Sequence, residues 1–90
     1  MAGLVEKLKS GATIVDVRST DEFEEEHYPN AINIPVEQMQ FRIDEFGDKS
    51  KSIVVYCASG ARSAYAARIL KSVGYSDVMN AGGLYDMPGY

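Results

Sequence analysis

Ile53-Val54-Val55-Tyr56-Cys57-Ala58-Ser59-Gly60-Ala61-Arg62-Ser63 is an apolar run that ends in a cysteine and breaks into small and polar residues. Ala64 to Val73 follows with apolar positions at helical spacing. The order is strand, tight loop, helix, with the only cysteine of the chain at the strand's end. A loop in that place turns several backbone N–H groups inward, and the helix behind it adds the positive end of its dipole. Both effects favour an anion at the loop's centre. A thiolate held there is favoured over the thiol, so the Cys57 pKa is expected below the free value of roughly 8.5. Arg62 adds a fixed positive charge, and Gly60 permits backbone conformations closed to other residues. The competing interpretation is a buried strand-end cysteine acting as an inert small hydrophobe. The Gly, Arg and Ser at the helix start favour a nucleophile in an anion cradle. Cys57 is then the reacting group, with Ala58, Ser59, Gly60, Ala61, Arg62 and Ser63 around what it binds.

Working outward, the 90 residues predict one domain spanning 1–90, and 46% hydrophobic content allows a small core. A net charge of -4 argues against nucleic acid, whose phosphates need a basic surface. One cysteine forms no internal disulfide, and one Cys with one His makes a metal site improbable. No apolar run approaches the ~20 residues of a membrane span. No signal-peptide pattern is visible, so a cytoplasmic protein is expected.

Leu4, Val5 and Leu8 suit one face of a short helix ended by Gly11. Ala12 to Val17 is a β-branched run expected to form a buried strand. Ser19-Thr20-Asp21-Glu22 is a capping-box pattern opening a second helix, with Phe23 expected to anchor it to the core. Ala31 to Ile34 is a short strand stopped by Pro35. Val36, Met39, Ile43 and Phe46 recur at three and four residues, which predicts a helix with one apolar stripe. Val78-Met79-Asn80 is a last short strand, and Leu84 to Tyr90 is expected to be irregular. Strands alternating with helices imply a parallel sheet with helices on both faces. In such sheets ligands sit outside the carboxyl ends of the strands.

These motifs together resemble the rhodanese family of sulfurtransferases. The cysteine loop is similar to that family's active-site loop. Asp16-Val17-Arg18 resembles its strand-end Asp-Val-Arg. Glu22-Phe23 with His27-Tyr28-Pro29-Asn30-Ala31-Ile32-Asn33-Ile34-Pro35 resembles its His-Ile-Pro-Gly-Ala-x-Asn-Ile-Pro segment. Gly82-Gly83 resembles its C-terminal glycine pair. The match runs from about residue 4 to the end, in order. The resemblance implies a three-layer α/β/α fold with about four parallel strands in the order 2-1-3-4. Larger members have one more strand before the first helix, so one sheet edge is expected to be bare or covered by the N-terminal helix. Glu26 and Asn30 stand where the family often has glycine. Asn30 can take a left-handed turn, and Glu26 predicts a second helix reaching slightly further. Tyr85, with no tryptophan after the glycine pair, predicts altered packing there.

The resemblance implies sulfur transfer from thiosulfate or a similar donor to cyanide or a thiol, through a Cys57 persulfide and without a cofactor. A partner protein could accept the sulfur; neither nucleic acid nor membrane is implied. Arg62 either binds the anionic donor or folds back to brace the loop. Ser59 and Ser63 can donate to bound anions, Ser63 more plausibly capping the helix. Asp16 and Arg18 are expected to be structural near the site, holding loops through hydrogen bonds and a pair with Glu22. His27 is expected to support a loop, not to act as a base. Two other functions compete: a non-catalytic interaction or regulatory module, and a cysteine phosphatase or arsenate reductase. Phosphatase loops hold five residues between Cys and Arg; here there are four, Ala58 to Ala61, too few to enclose a phosphoryl group. That mechanism also needs a general acid.

Overall fold

The computed structural model describes residues 3–90. Four strands form one parallel sheet: β1 (Thr13–Asp16), β2 (Ile32–Asn33), β3 (Ile53–Cys57) and β4 (Val78–Gly83). Their order is β2-β1-β3-β4, as the resemblance implied. The register aligns Val15 with Val55 and Asp16 with Tyr56. Alternation along β3 then divides the core. Ile53, Val55 and Cys57 face the same side as Val15 and Val78, and pack with Ala66, Ala67 and Leu70 of α3 (Ala61–Ser72). Val54 and Tyr56 face the other side with Ile14, Leu84 and Met87. Leu4 and Leu8 of α1 (Leu4–Lys9) cover that second face, and Lys7 pairs with Asp77. The N-terminal helix therefore covers a face of the sheet, not an edge. Among the described residues, β2 and β4 have no strand beyond them.

Several local expectations change. The stripe Val36–Met39–Ile43–Phe46 does turn inward, with Met39 and Phe46 buried. The segment is two 3-10 turns, Val36–Phe41 and Ile43–Phe46, interrupted at Arg42, not one α-helix. The buried Met39 and Phe46, with Val36 and Ile43 packed against the core, hold the two turns in place. The last strand runs on to Gly83 through a bulge. Val55 opposes Asn80 while Cys57 opposes Gly83, so β4 carries one extra residue, and Gly82 has φ +92°. Leu84–Asp86 then forms one 3-10 turn.

Helix α2 (Thr20–Glu25) has the full capping box, Ser19 with Glu22. It stops before Glu26, whose extended backbone (φ -165°) ends it. Glu26 instead accepts hydrogen bonds from the Tyr85 and Tyr90 hydroxyls, so Tyr85 lies on the surface and fills no core position. Phe23 is half-buried and outside both core groups. Its ring stacks on His27 at 3.7 Å, and His27 Nδ1 lies 2.8 Å from the Phe23 carbonyl. His27 thus supports the loop. Asn30 is the only described non-glycine residue with positive φ, +69°, the turn its side chain tolerates.

A buried polar network ties β1 to β3. Asp16 is fully buried and accepts from Arg18 N (2.9 Å), Arg18 Nη2 (2.7 Å) and the Tyr56 hydroxyl (2.7 Å). The same hydroxyl accepts from Tyr28 N at 3.0 Å, and Arg18 Nη2 reaches the Glu26 carbonyl at 2.6 Å. Three segments, the ends of β1 and β3 and the turn at 26–28, are fixed by one carboxylate. Removing a link leaves a buried group without its partner, which costs more than the bond itself contributes. Tyr56→Phe should therefore destabilise the fold by about 1–3 kcal/mol in urea unfolding while leaving Cys57 reactivity near its wild-type value.

Candidate active site

The Cys57 loop opens at the carboxyl end of β3, as the sheet rule predicts. Gly60 has φ +101° and caps α3 from a left-handed conformation, which turns the following N–H groups back over the sulfur. Gly60 N donates to Cys57 Sγ at 3.0 Å, and Ser63 N at 3.4 Å. Ser63 Oγ lies 3.3 Å from Sγ. Cys57 has no exposed surface, whereas Ala58, Ser59 and Ala61 around it are exposed. Burial pushes the thiol pKa up. The hydrogen bonds from the Ser63 hydroxyl and from the N–H groups of Ser63, Gly60 and Ser59 outweigh it, and the net shift is below the ordinary thiol value.

Ser63 neither caps α3 nor faces solvent. It is fully buried, and its hydroxyl donates to Asn80 Oδ1 at 2.7 Å. A hydroxyl has one proton, so its role follows the state of the cysteine. Beside a thiol, S–H donates to Ser63 Oγ and Ser63 donates to Asn80. Beside a thiolate, Ser63 O–H turns to the sulfur. Asn80 Oδ1 is not orphaned by the turn, because Gly82 N donates to it at 2.9 Å. Asn80 Nδ2 also holds the Gly60 carbonyl at 3.1 Å. Asn80 thus joins β4 to the middle and the far end of the loop. The sequence offered it only as a strand end, since no motif spacing marks a residue that acts through its neighbours.

The glycine pair acquires a steric reason. A Cβ on Gly83 would stand 2.2 Å from the Ala58 carbonyl oxygen, and a Cβ on Gly60 would stand 3.3 Å from Gly82 Cα. The β4 bulge and the cysteine loop are in backbone contact, closer than any side chain allows.

Asp16 and Arg18 bond to each other and are linked to the cysteine strand through the Tyr56 hydroxyl, and the expected Arg18–Glu22 pair does not form. A guanidinium already engaged by a buried carboxylate two residues away has no reason to reach further. Glu22 instead binds Arg62, with Nη1–Oε1 at 2.7 Å and Nη2–Oε2 at 3.2 Å. Arg62 therefore neither braces the loop through its carbonyls nor stands free. The Glu22 hydrogen bond foremost, and the charge of the Cys57 thiolate in addition, raise the Arg62 pKa. Glu22 in turn is lowered to about 2, chiefly by Arg62, with Ser19 adding. No group of three or more His, Cys, Asp or Glu residues that could hold a metal occurs among the described residues.

Ser63→Ala removes one hydrogen bond to the sulfur and leaves the backbone donors. The Cys57 alkylation rate, followed against pH, should then shift its midpoint upward, with less thiolate at neutral pH than in the wild type.

A sequence model of the family described as Rhodanese-like domain matches residues 2–86. The chain is 42% identical over 74 residues to the thiosulfate sulfurtransferase PspE of Escherichia coli, covering 81% of this chain and 71% of PspE. It is 37% identical over 67 residues to the putative sulfur carrier protein YrkF of Bacillus subtilis, covering 74% of this chain but 36% of YrkF. Among solved structures, a rhodanese with anions from E. coli superposes with a TM-score of 0.81 at 39% identity, covering 87% of this chain and 93% of that one. The human single-domain sulfurtransferase TSTD1 gives 0.78 at 30% identity, covering 91% and 85%. With its sheet order, cysteine loop and glycine pair, the chain belongs to the rhodanese-like domain family.

Proposed function

We propose that the chain is a single-domain thiosulfate sulfurtransferase that works through a persulfide on Cys57. The observation that carries this is the set of donors converging on Cys57 Sγ: two N–H groups, at 3.0 and 3.4 Å, and a hydroxyl at 3.3 Å. They lower the thiol pKa, so the nucleophile needs no separate general base. The thiosulfate sulfurtransferase PspE and the putative sulfur carrier protein YrkF, both similar to this chain, support that chemistry.

The thiolate attacks the outer sulfur of thiosulfate. The Cys57–S bond forms, the sulfur–sulfur bond of thiosulfate breaks, and sulfite leaves with the electron pair. One negative charge stays on the terminal persulfide sulfur, within reach of the loop N–H groups that held the thiolate. Cyanide or a thiolate then attacks that sulfur, giving thiocyanate or a new persulfide and restoring the Cys57 thiolate. The sulfur moves without net loss or gain of electrons, so no redox cofactor is required. Because Cys57 is buried at the base of the loop, the transferable sulfur must be the terminal atom of a slender donor, as in thiosulfate. A protein carrying an acceptor cysteine thiolate on a flexible segment meets the same requirement. A reducing, cytoplasmic setting suits chemistry that needs a free thiol.

Incubated with thiosulfate in the absence of reductant, the wild type should gain one sulfur atom by intact mass and lose it to cyanide. Cys57→Ser should gain none while unfolding at a similar temperature, because serine is close in size but a poor nucleophile at its own pKa. Sulfur transfer retained by that variant would overturn the mechanism.

A further inference from the structure

We propose that Glu22 is a specificity-determining residue for the sulfur donor: its carboxylate occupies Arg62 in the resting protein and competes with the donor's anionic oxygens for that guanidinium. The inference rests on the sulfurtransferase reading above. Its basis is the two-oxygen fork between Glu22 and Arg62, at 2.7 and 3.2 Å. The oxygens of a sulfonate group present similar geometry, so one guanidinium face cannot serve both at once. Glu22 is not free to move with Arg62. Its Oε1 is also held by Ser19 N and Ser19 Oγ, each at 3.1 Å, as part of the α2 cap. If Arg62 turns to a donor, the pair must part. The two side chains are 38% and 37% exposed, so the contact is open to a dissolved anion and is not sealed.

The charge arithmetic gives this device a preference. Paired, Glu22 and Arg62 sum to zero beside the loop; without the carboxylate, one positive charge remains. Glu22 titrates at about 2 and the Arg62 pKa is raised, so both partners are charged at neutral pH. Coulomb attraction to that unmasked charge doubles for a dianion relative to a monoanion at the same distance. Glu22 therefore holds down the site's affinity for dianionic donors such as thiosulfate, and favours donors of lower charge.

Glu22→Gln isolates this effect, because glutamine serves equally at that position of a capping box. Thiosulfate, a dianion, and methanethiosulfonate, a monoanion, both offer a terminal sulfur and are compared by kcat/KM. The thiosulfate-to-methanethiosulfonate ratio should rise about threefold to fivefold in Glu22→Gln, the size expected for an exposed pair. The change should lie in KM, not kcat, and shrink with added salt. In an Arg62→Gln background, Glu22→Gln only lifts a repulsion and frees no guanidinium, so the ratio should rise by clearly less than it does with Arg62 present. A purely structural role would lower both donors together and drop the unfolding temperature. A ratio that stays or falls in Glu22→Gln, or that rises equally without Arg62, overturns the proposal. If wild-type Cys57 gains sulfur by intact mass and the ratio fails to move, this inference alone falls. If it gains sulfur from neither donor, the sulfurtransferase reading falls with it.

Discussion

The loop from Cys57 to Ser63 closes against β4 only because Gly83 carries no side chain there. A Cβ at Gly83 would sit 2.2 Å from the Ala58 carbonyl oxygen, so the two backbones meet at a distance reserved for glycine. That approach depends on the β4 bulge, which places Gly83 rather than Gly82 opposite Cys57. Asn80, paired with Val55 just before the bulge, reaches both Gly60 and Ser63 with its side-chain amide. The donors to the sulfur belong to the loop itself, but what holds the loop in place is a consequence of strand register. A shift of one residue in β4 would take Asn80 from Gly60 and Ser63 and put a side chain against the Ala58 carbonyl.

The second support comes from β1. Asp16, fully buried, is made tolerable by Arg18 and the Tyr56 hydroxyl, and Tyr56 is the residue before the cysteine. Burying a carboxylate contributes little net stability, but its partners hold chain ends in one arrangement. Helix α2 adds the third contact. Glu22 closes its own helix cap and binds Arg62 across the site, so a local stop signal and a long-range ion pair share one carboxylate. The order of sequence elements is simple, yet β4 and α2 converge on the loop after β3 while the Asp16 network fixes Tyr56 just before it.

What the chain's pattern revealed and what it hid divide along physical lines. The strands, their order and the cysteine loop are legible, because β-branched runs, a Gly-Arg-Ser helix start and family motifs are local signals. The capping box at Ser19 and the left-handed Asn30 are legible for the same reason. The segment 36–46 shows its inward stripe but not its 3-10 geometry, since both helix types place residues three and four apart on one side. Partner choice is what fails. The sequence pairs Glu22 with Arg18, yet it binds Arg62; it places Ser63 at the helix cap, yet Ser63 binds Asn80. It turns Phe23 to the core, yet the ring stacks on His27. Arg62 and Asn80 are distant in sequence from their partners, which no periodicity records, whereas His27 is near Phe23 and meets it where the chain leaves α2 at Glu26.

The central claim is that the loop's N–H groups hold an anionic sulfur on Cys57. The most direct test is a crystal structure of the protein after thiosulfate treatment. The account predicts a second sulfur about 2.05 Å from Cys57 Sγ, lying inside the loop within hydrogen-bond distance of its backbone N–H groups. An unmodified Cys57 with thiosulfate bound elsewhere on the surface, or a persulfide pointing away from the loop, would contradict it.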